Sequence, residues 1–146
     1  DFHRDSLDPA FTWTSDPPPH QVVLADDCLR VMPREKTDFW QRTYYTPVLI
    51  KHDGHLLHLA GVTKPDFILE TSFLLTPLNQ FDQAGLMVCY SEHCWVKAGL
   101  EYVDGVCRLS CVVTNHGHSD WSTQPWDGFE LRLRLHKIGA SFVLEW

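Results

Sequence analysis

The sequence predicts an all-β protein, a two-sheet antiparallel β-sandwich with little helix, on three observations. Apolar and polar residues alternate across 82–121, the period-2 pattern of half-buried strands. Asp104-Gly105 supplies the positive φ values that a tight type I′ hairpin turn demands, and His52-Asp53-Gly54-His55 holds a second Asp-Gly turn. No segment long enough to be a stable helix shows a 3.6-residue period.

The elements follow in order. Asp16-Pro17-Pro18-Pro19 breaks any regular structure and leads into a strand at 21–24, and Asp26-Asp27 turns the chain into 29–32. After the polar loop 33–37, the aromatic run 39–45 reads as a strand, and Asp53-Gly54 opens another at 56–62. The strand 67–76 stops at Pro77. Phe129, Leu131, Leu133 and Leu135 alternate with Glu130, Arg132, Arg134 and His136, and Gly139 turns this strand into 142–146. Many short strands between short turns indicate a sandwich or jelly roll, with a closed up-and-down barrel as the alternative. The chain stops in mid-pattern at Trp146, so either a further strand or an edge closed by Trp146 is expected there.

The central hairpin fixes a register. With Asp104-Gly105 as the turn, Val103 faces Val106, Glu101 faces Arg108 and Ala98 faces Cys111. One face then carries Val96, Ala98, Leu100, Tyr102, Cys107, Leu109, Cys111 and Val113, an apolar core side. The other carries Trp95, Lys97, Gly99, Glu101, Arg108, Ser110 and Thr114, with Glu101 and Arg108 an expected cross-strand ion pair. A preceding strand adds Ala84, Leu86, Val88 and Tyr90 to the core side and Gln83, Gly85 and Met87 to the polar side, with a bulged turn at 91–94.

Length and composition set bounds. The 146 residues make one domain, 1–146, with 44% hydrophobic and 21% charged residues. No apolar run approaches the roughly 20 residues of a membrane span, and no signal peptide is read. A net charge of −7 with 12 scattered Lys and Arg excludes a nucleic-acid backbone or an anionic membrane as partner. Cys28, Cys89, Cys94, Cys107 and Cys111 are odd in number and lack a C-x-x-C pair, which fits buried thiols in a reducing, cytoplasmic compartment.

The runs Leu29-Arg30-Val31, Thr37-Asp38-Phe39-Trp40, Gly54-His55, 82–88, 95–106, 110–114 and Ser119-Asp120-Trp121-Ser122 resemble the family called domain of unknown function 1349. That family includes the yeast regulator of enolase and YesU-like proteins. The resemblance covers roughly residues 10–146 and implies the concanavalin A-like lectin/glucanase jelly roll. Family members usually continue with further strands, which implies a chain short at its C-terminus. It also implies either a carbohydrate-binding, lectin-like role or a regulatory one with a protein partner, such as a metabolic enzyme.

In sandwiches of this class the ligand lies on the concave sheet face, here the polar side of the hairpin. Trp95 offers a platform for a sugar ring, and Lys97, Glu101 and Gln83 offer donors and acceptors. Asp38 and Trp40, with Asn115, Asp120 and Trp121 from a loop running through His116, His118 and Ser119-Asp120-Trp121-Ser122, are expected to rim the same cleft. Catalysis is disfavoured. The Glu-x-Asp-x-x-Glu and Glu-x-Asp-x-Glu patterns of glucanases are missing, and alternation sets Glu101 and Asp104 on opposite faces. No cofactor or metal is expected: phosphate-binding glycine loops are missing, and His52, His55, His58, His116 and His118 lack carboxylate or Cys partners at ligand spacing.

Overall fold

The computed structural model describes residues 6–14, 16–59, 61–62 and 64–146. Its strands are β1 (Phe11–Trp13), β2 (His20–Val23), β3 (Cys28–Val31), β4 (Phe39–Arg42), β5 (Leu49–His52), β6 (Leu57–Leu59), β7 (Phe67–Leu74), β8 (Gln83–Ser91), β9 (Cys94–Val103), β10 (Val106–Asn115), β11 (His118–Pro125), β12 (Glu130–Ile138) and β13 (Ser141–Glu145). A single 3-10 turn occupies Leu24–Asp26 among the described residues. The chain falls into two compact units, residues 1–40 with 50–63, and residues 41–49 with 64–146.

The larger unit is an antiparallel sandwich. One sheet has the order β11-β10-β9-β8 and the other β13-β12-β7. Asp104 and Gly105 adopt φ of 53° and 84°, and Val103 pairs with Val106, Glu101 with Arg108 and Trp95 with Thr114, the register expected from the turn. Alternation therefore aims Ala98, Leu100 and Leu109 between the sheets, where they meet Leu131 and Leu133 of β12. Fully burying each such leucine is worth about 1.5–3 kcal/mol.

Several elements differ from expectation for local reasons. The strand expected at 39–45 ends at Arg42, because Arg42 and Tyr44 take φ of 54° and 79°, which a strand cannot continue through. The strand expected at 56–62 is observed as Leu57–Leu59, and Ala60 lies outside the described residues. Residues 118–122, expected in a loop, belong to β11. His116 and Gly117, at φ 49° and 74°, form a second tight turn and return the chain along β10. Tyr90 and Val113 were expected in the core but are 58% and 44% exposed. They sit where the sheets part around a cleft of about 710 Å3 that Val96, Cys111, Phe142 and Leu144 also line.

The smaller unit is built from short ladders, β1 with β6 and β2 with β3. The second Asp-Gly turn is fastened there: the Asp38 carbonyl accepts from the Asp53 and Gly54 amides at 3.1 and 3.0 Å. Only glycine fits, since a Cβ on Gly54 would stand 2.4 Å from the Phe39 ring. Around Asp53, burial pushes the carboxyl up, but hydrogen bonds from Lys51 and the Asp38 amide outweigh it and leave the pKa below 3.8.

On the outer face of the three-stranded sheet, Glu70 accepts from both Arg132 and Arg134, while Glu145 accepts from His136 at 3.1 Å. Hydrogen bonds from Arg134 and then Arg132 hold the Glu70 carboxyl below its ordinary 4.5. A carboxyl lowered by folding stabilises the native state above its unfolded value, and that contribution is lost as pH falls through the folded value.

Two outcomes are expected. From about pH 4.5 downward, the wild-type Tm should fall more steeply than that of Glu70→Gln, and identical slopes in a pH series of thermal melts would contradict the Arg-held carboxylate. A Cβ on Gly99 would stand 2.0 Å from the Ala84 carbonyl oxygen and 2.6 Å from the Gly85 Cα of the facing strand. Gly99→Ala should therefore cost about 1–3 kcal/mol in urea unfolding, and an unchanged midpoint would disprove that close approach.

Candidate functional site

The registers of β8, β9, β10 and β11 order the face turned away from the sandwich core into four rows. They are Gln83–Glu101–Arg108–Pro125, Gly85–Gly99–Ser110–Thr123, Met87–Lys97–Val112–Trp121 and Cys89–Trp95–Thr114–Ser119. Glu101 is the sole carboxylate of these rows, and only 7% of the residue is exposed. Burying a carboxylate costs several kcal/mol unless hydrogen bonds compensate it. Among those that do, Ser110 Oγ donates at 2.6 Å and Trp121 Nε1 at 3.0 Å. To reach Glu101 the indole of Trp121 extends across the small-residue row, where its Nε1 also lies 3.0 Å from Ser110 Oγ.

A loop fixes the edge of this arrangement. Phe81, at φ 69°, meets the Trp121 ring edge-on at 6.4 Å and 78°. The Phe81 amide donates to the Tyr102 carbonyl at 2.7 Å, and the Tyr102 amide returns a bond to Asp82 at 2.9 Å. The Asp82 carboxylate accepts from the Leu78 and Asn79 amides, while the Gln80 carboxamide clamps Asp104 at 2.9 and 3.1 Å. The loop is thus tied to the same Asp104-Gly105 turn that sets the strand register. At the other end of the face, the Thr114 and Ser119 hydroxyls pair at 2.6 Å, and the amide of buried Gln41 donates to Ser119 Oγ at 2.9 Å.

The residues singled out from the sequence are placed unevenly. Gln83, Lys97, Glu101 and Trp121 share the polar face, as does Trp95. Trp95 is 1% exposed, so it is a packed residue rather than an open platform, with Lys97 Nζ 5.9 Å from its ring centroid. The Gln83 carboxamide donates to the Phe81 carbonyl at 3.3 Å. Asp120 pairs in register with Val113 and, by alternation, faces the opposite side from Trp121. Its charge adds to burial in raising the Cys111 thiol pKa. Asn115 shares the parity of Val113 and lines the apolar cleft. Asp38 and Trp40 belong to the smaller unit, where the Asp38 carboxylate accepts from the Phe39 amide at 2.7 Å and Trp40 is buried.

Glu101 and Arg108 stand directly opposite, yet no ion pair joins them among the described residues, because Ser110 and Trp121 turn the carboxylate toward themselves. Sequence reasoning set Ser110 on this face without assigning it a role, gave Arg108 only the ion pair with Glu101, and missed Phe81, whose loop has no periodic signal. Among the described residues no group of His, Cys, Asp and Glu is arranged to hold a metal ion. No helix there is long and apolar enough to cross a membrane.

Fold and site together define an antiparallel β-sandwich whose larger sheet has one apolar face and one polar face edged by aromatics. The chain belongs to the family described as "Protein of unknown function (DUF1349)", which matches residues 13–146. It is 39% identical over 107 residues to "Regulation of enolase protein 1" of Saccharomyces cerevisiae, a match covering 70% of this chain and 52% of that protein. The chain thus spans about half the length of that curated relative. It is also similar to a crystal structure described as a functionally unknown protein from Saccharomyces cerevisiae, with a TM-score of 0.75, 29% identity, and coverage of 93% of this chain and 77% of that one.

Proposed function

We propose that the polar face of the four-stranded sheet is a non-catalytic, lectin-like binding surface for a saccharide. The observation that carries this is the buried Glu101 carboxylate, which orients the Ser110 hydroxyl and the Trp121 indole on a sheet face edged by Phe81. A sandwich needing stability alone gains more from an apolar residue at such a position, since a buried charge is weak evidence for stability. Gln83 and Lys97, both half-buried, supply hydrogen-bonding groups beside the aromatic edge. Glycoside hydrolysis calls for a pair of carboxyl groups across the scissile bond, and Glu101 is the only one in the four rows.

A second role is supported by the relative named "Regulation of enolase protein 1": this chain regulates a metabolic enzyme by binding it. Of the five free cysteines, expected as buried thiols, only Cys107 is buried, and Cys89 is exposed; a reducing, cytoplasmic setting is part of the proposal for either role.

A thermal-shift series against mono- and oligosaccharides tests the first role. Ligand at ten times its Kd stabilises by about 1.4 kcal/mol, so one sugar class should raise the Tm, and Phe81→Ala should abolish the rise. A flat series with folded protein would reject saccharide binding. Titration of purified enolase with the domain separates the two, because co-elution and altered kinetics belong only to the regulatory role.

A further inference from the structure

We infer that Arg108 forms an anion-binding subsite at the end of the polar face, so that the saccharide it takes is an acidic one carrying a carboxylate or phosphate group. The inference rests on the saccharide-binding role proposed above and narrows its substrate class. Arg34, Arg132 and Arg134 each reach a carboxylate, whereas exposed Arg30 and Arg42 and half-buried Arg108 reach none among the described residues. What sets Arg108 apart is that its Nε is buried without a hydrogen-bond partner. A buried donor left unpaired is costly, and more so when charged.

The register explains why the guanidinium is uncommitted. On one side stands Glu101, whose Oε2 is already held by Ser110 and Trp121. On the other stands Pro125, whose side chain has no polar atom. A guanidinium offers parallel N–H donors that match the two oxygens of a carboxylate or phosphate, and Arg is preferred wherever that recognition operates. Trp121 and Phe81 edge the same face, where the sugar ring would lie.

The test compares glucose, glucuronate and glucose 6-phosphate by calorimetric titration of the intact chain and of Arg108→Met and Arg108→Lys, each first checked for cooperative unfolding. At least one acidic sugar should bind wild type about tenfold or more tighter than glucose, with the preference weakening as salt rises. Arg108→Met should reduce its affinity to that of glucose while leaving glucose unchanged, and Arg108→Lys should fall between. Whether glucuronate or the phosphate gains most identifies the anionic group. Equal affinity of the three sugars, or an acidic preference surviving Arg108→Met, overturns the subsite and leaves saccharide binding standing. Failure of all three to bind overturns both.

Discussion

The two-residue turn at Asp104-Gly105 is the constraint on which the larger unit depends. Its positive φ values fix which residue of β9 faces which of β10, and a slip by one would exchange the two faces completely. In the observed register Ala98, Leu100 and Leu109 close the core against β12, and Glu101, Ser110 and Trp121 converge on the other side. The same turn receives the Gln80 clamp, so the loop that presents Phe81 is positioned by the element that sets the register. Core and polar face are thus two consequences of one local geometry.

The polar face is partly buried. Trp95, Glu101, Thr114 and Ser119 are each less than a tenth exposed, while Gln83, Met87, Lys97, Arg108, Ser110 and Trp121 are half-buried. Burial of Glu101 makes the donors to its carboxylate matter more, because hydrogen bonds to a charge strengthen as the surroundings become less polar. It also directs contact with a sugar ring to exposed Phe81 and half-buried Gln83, Lys97 and Trp121. Glu101 acts by positioning two of the groups around it.

Much of the larger unit was legible in the sequence because its signals were local. Period 2 identified β8, β9, β10 and β12, and an Asp-Gly dipeptide supplied a register correct to the residue. What failed depended on tertiary surroundings. The turn at His116-Gly117 is flanked by polar residues, so β11 looked like a loop although its pairing with β10 is regular. Alternation showed that Trp95 leaves the core side, but not that it is packed there rather than open. The Glu101–Arg108 ion pair followed from register and opposite charge. It was displaced by Ser110 on the neighbouring row and by Trp121 on a strand whose place in the sheet was not foreseen. In the smaller unit the strands are three or four residues long, too short for a periodic pattern to stand out.

The most direct measurement of the central claim, that Glu101 and Trp121 form one coupled unit organising the polar face, is a double-mutant cycle on stability with Glu101→Gln and Trp121→Phe. Phe keeps most of the ring and removes the donor, and Gln keeps the shape and removes the charge. A direct hydrogen bond to a buried carboxylate predicts that the two losses overlap, with a coupling of about 1 kcal/mol or more. Losses that add to within about 0.3 kcal/mol would contradict it.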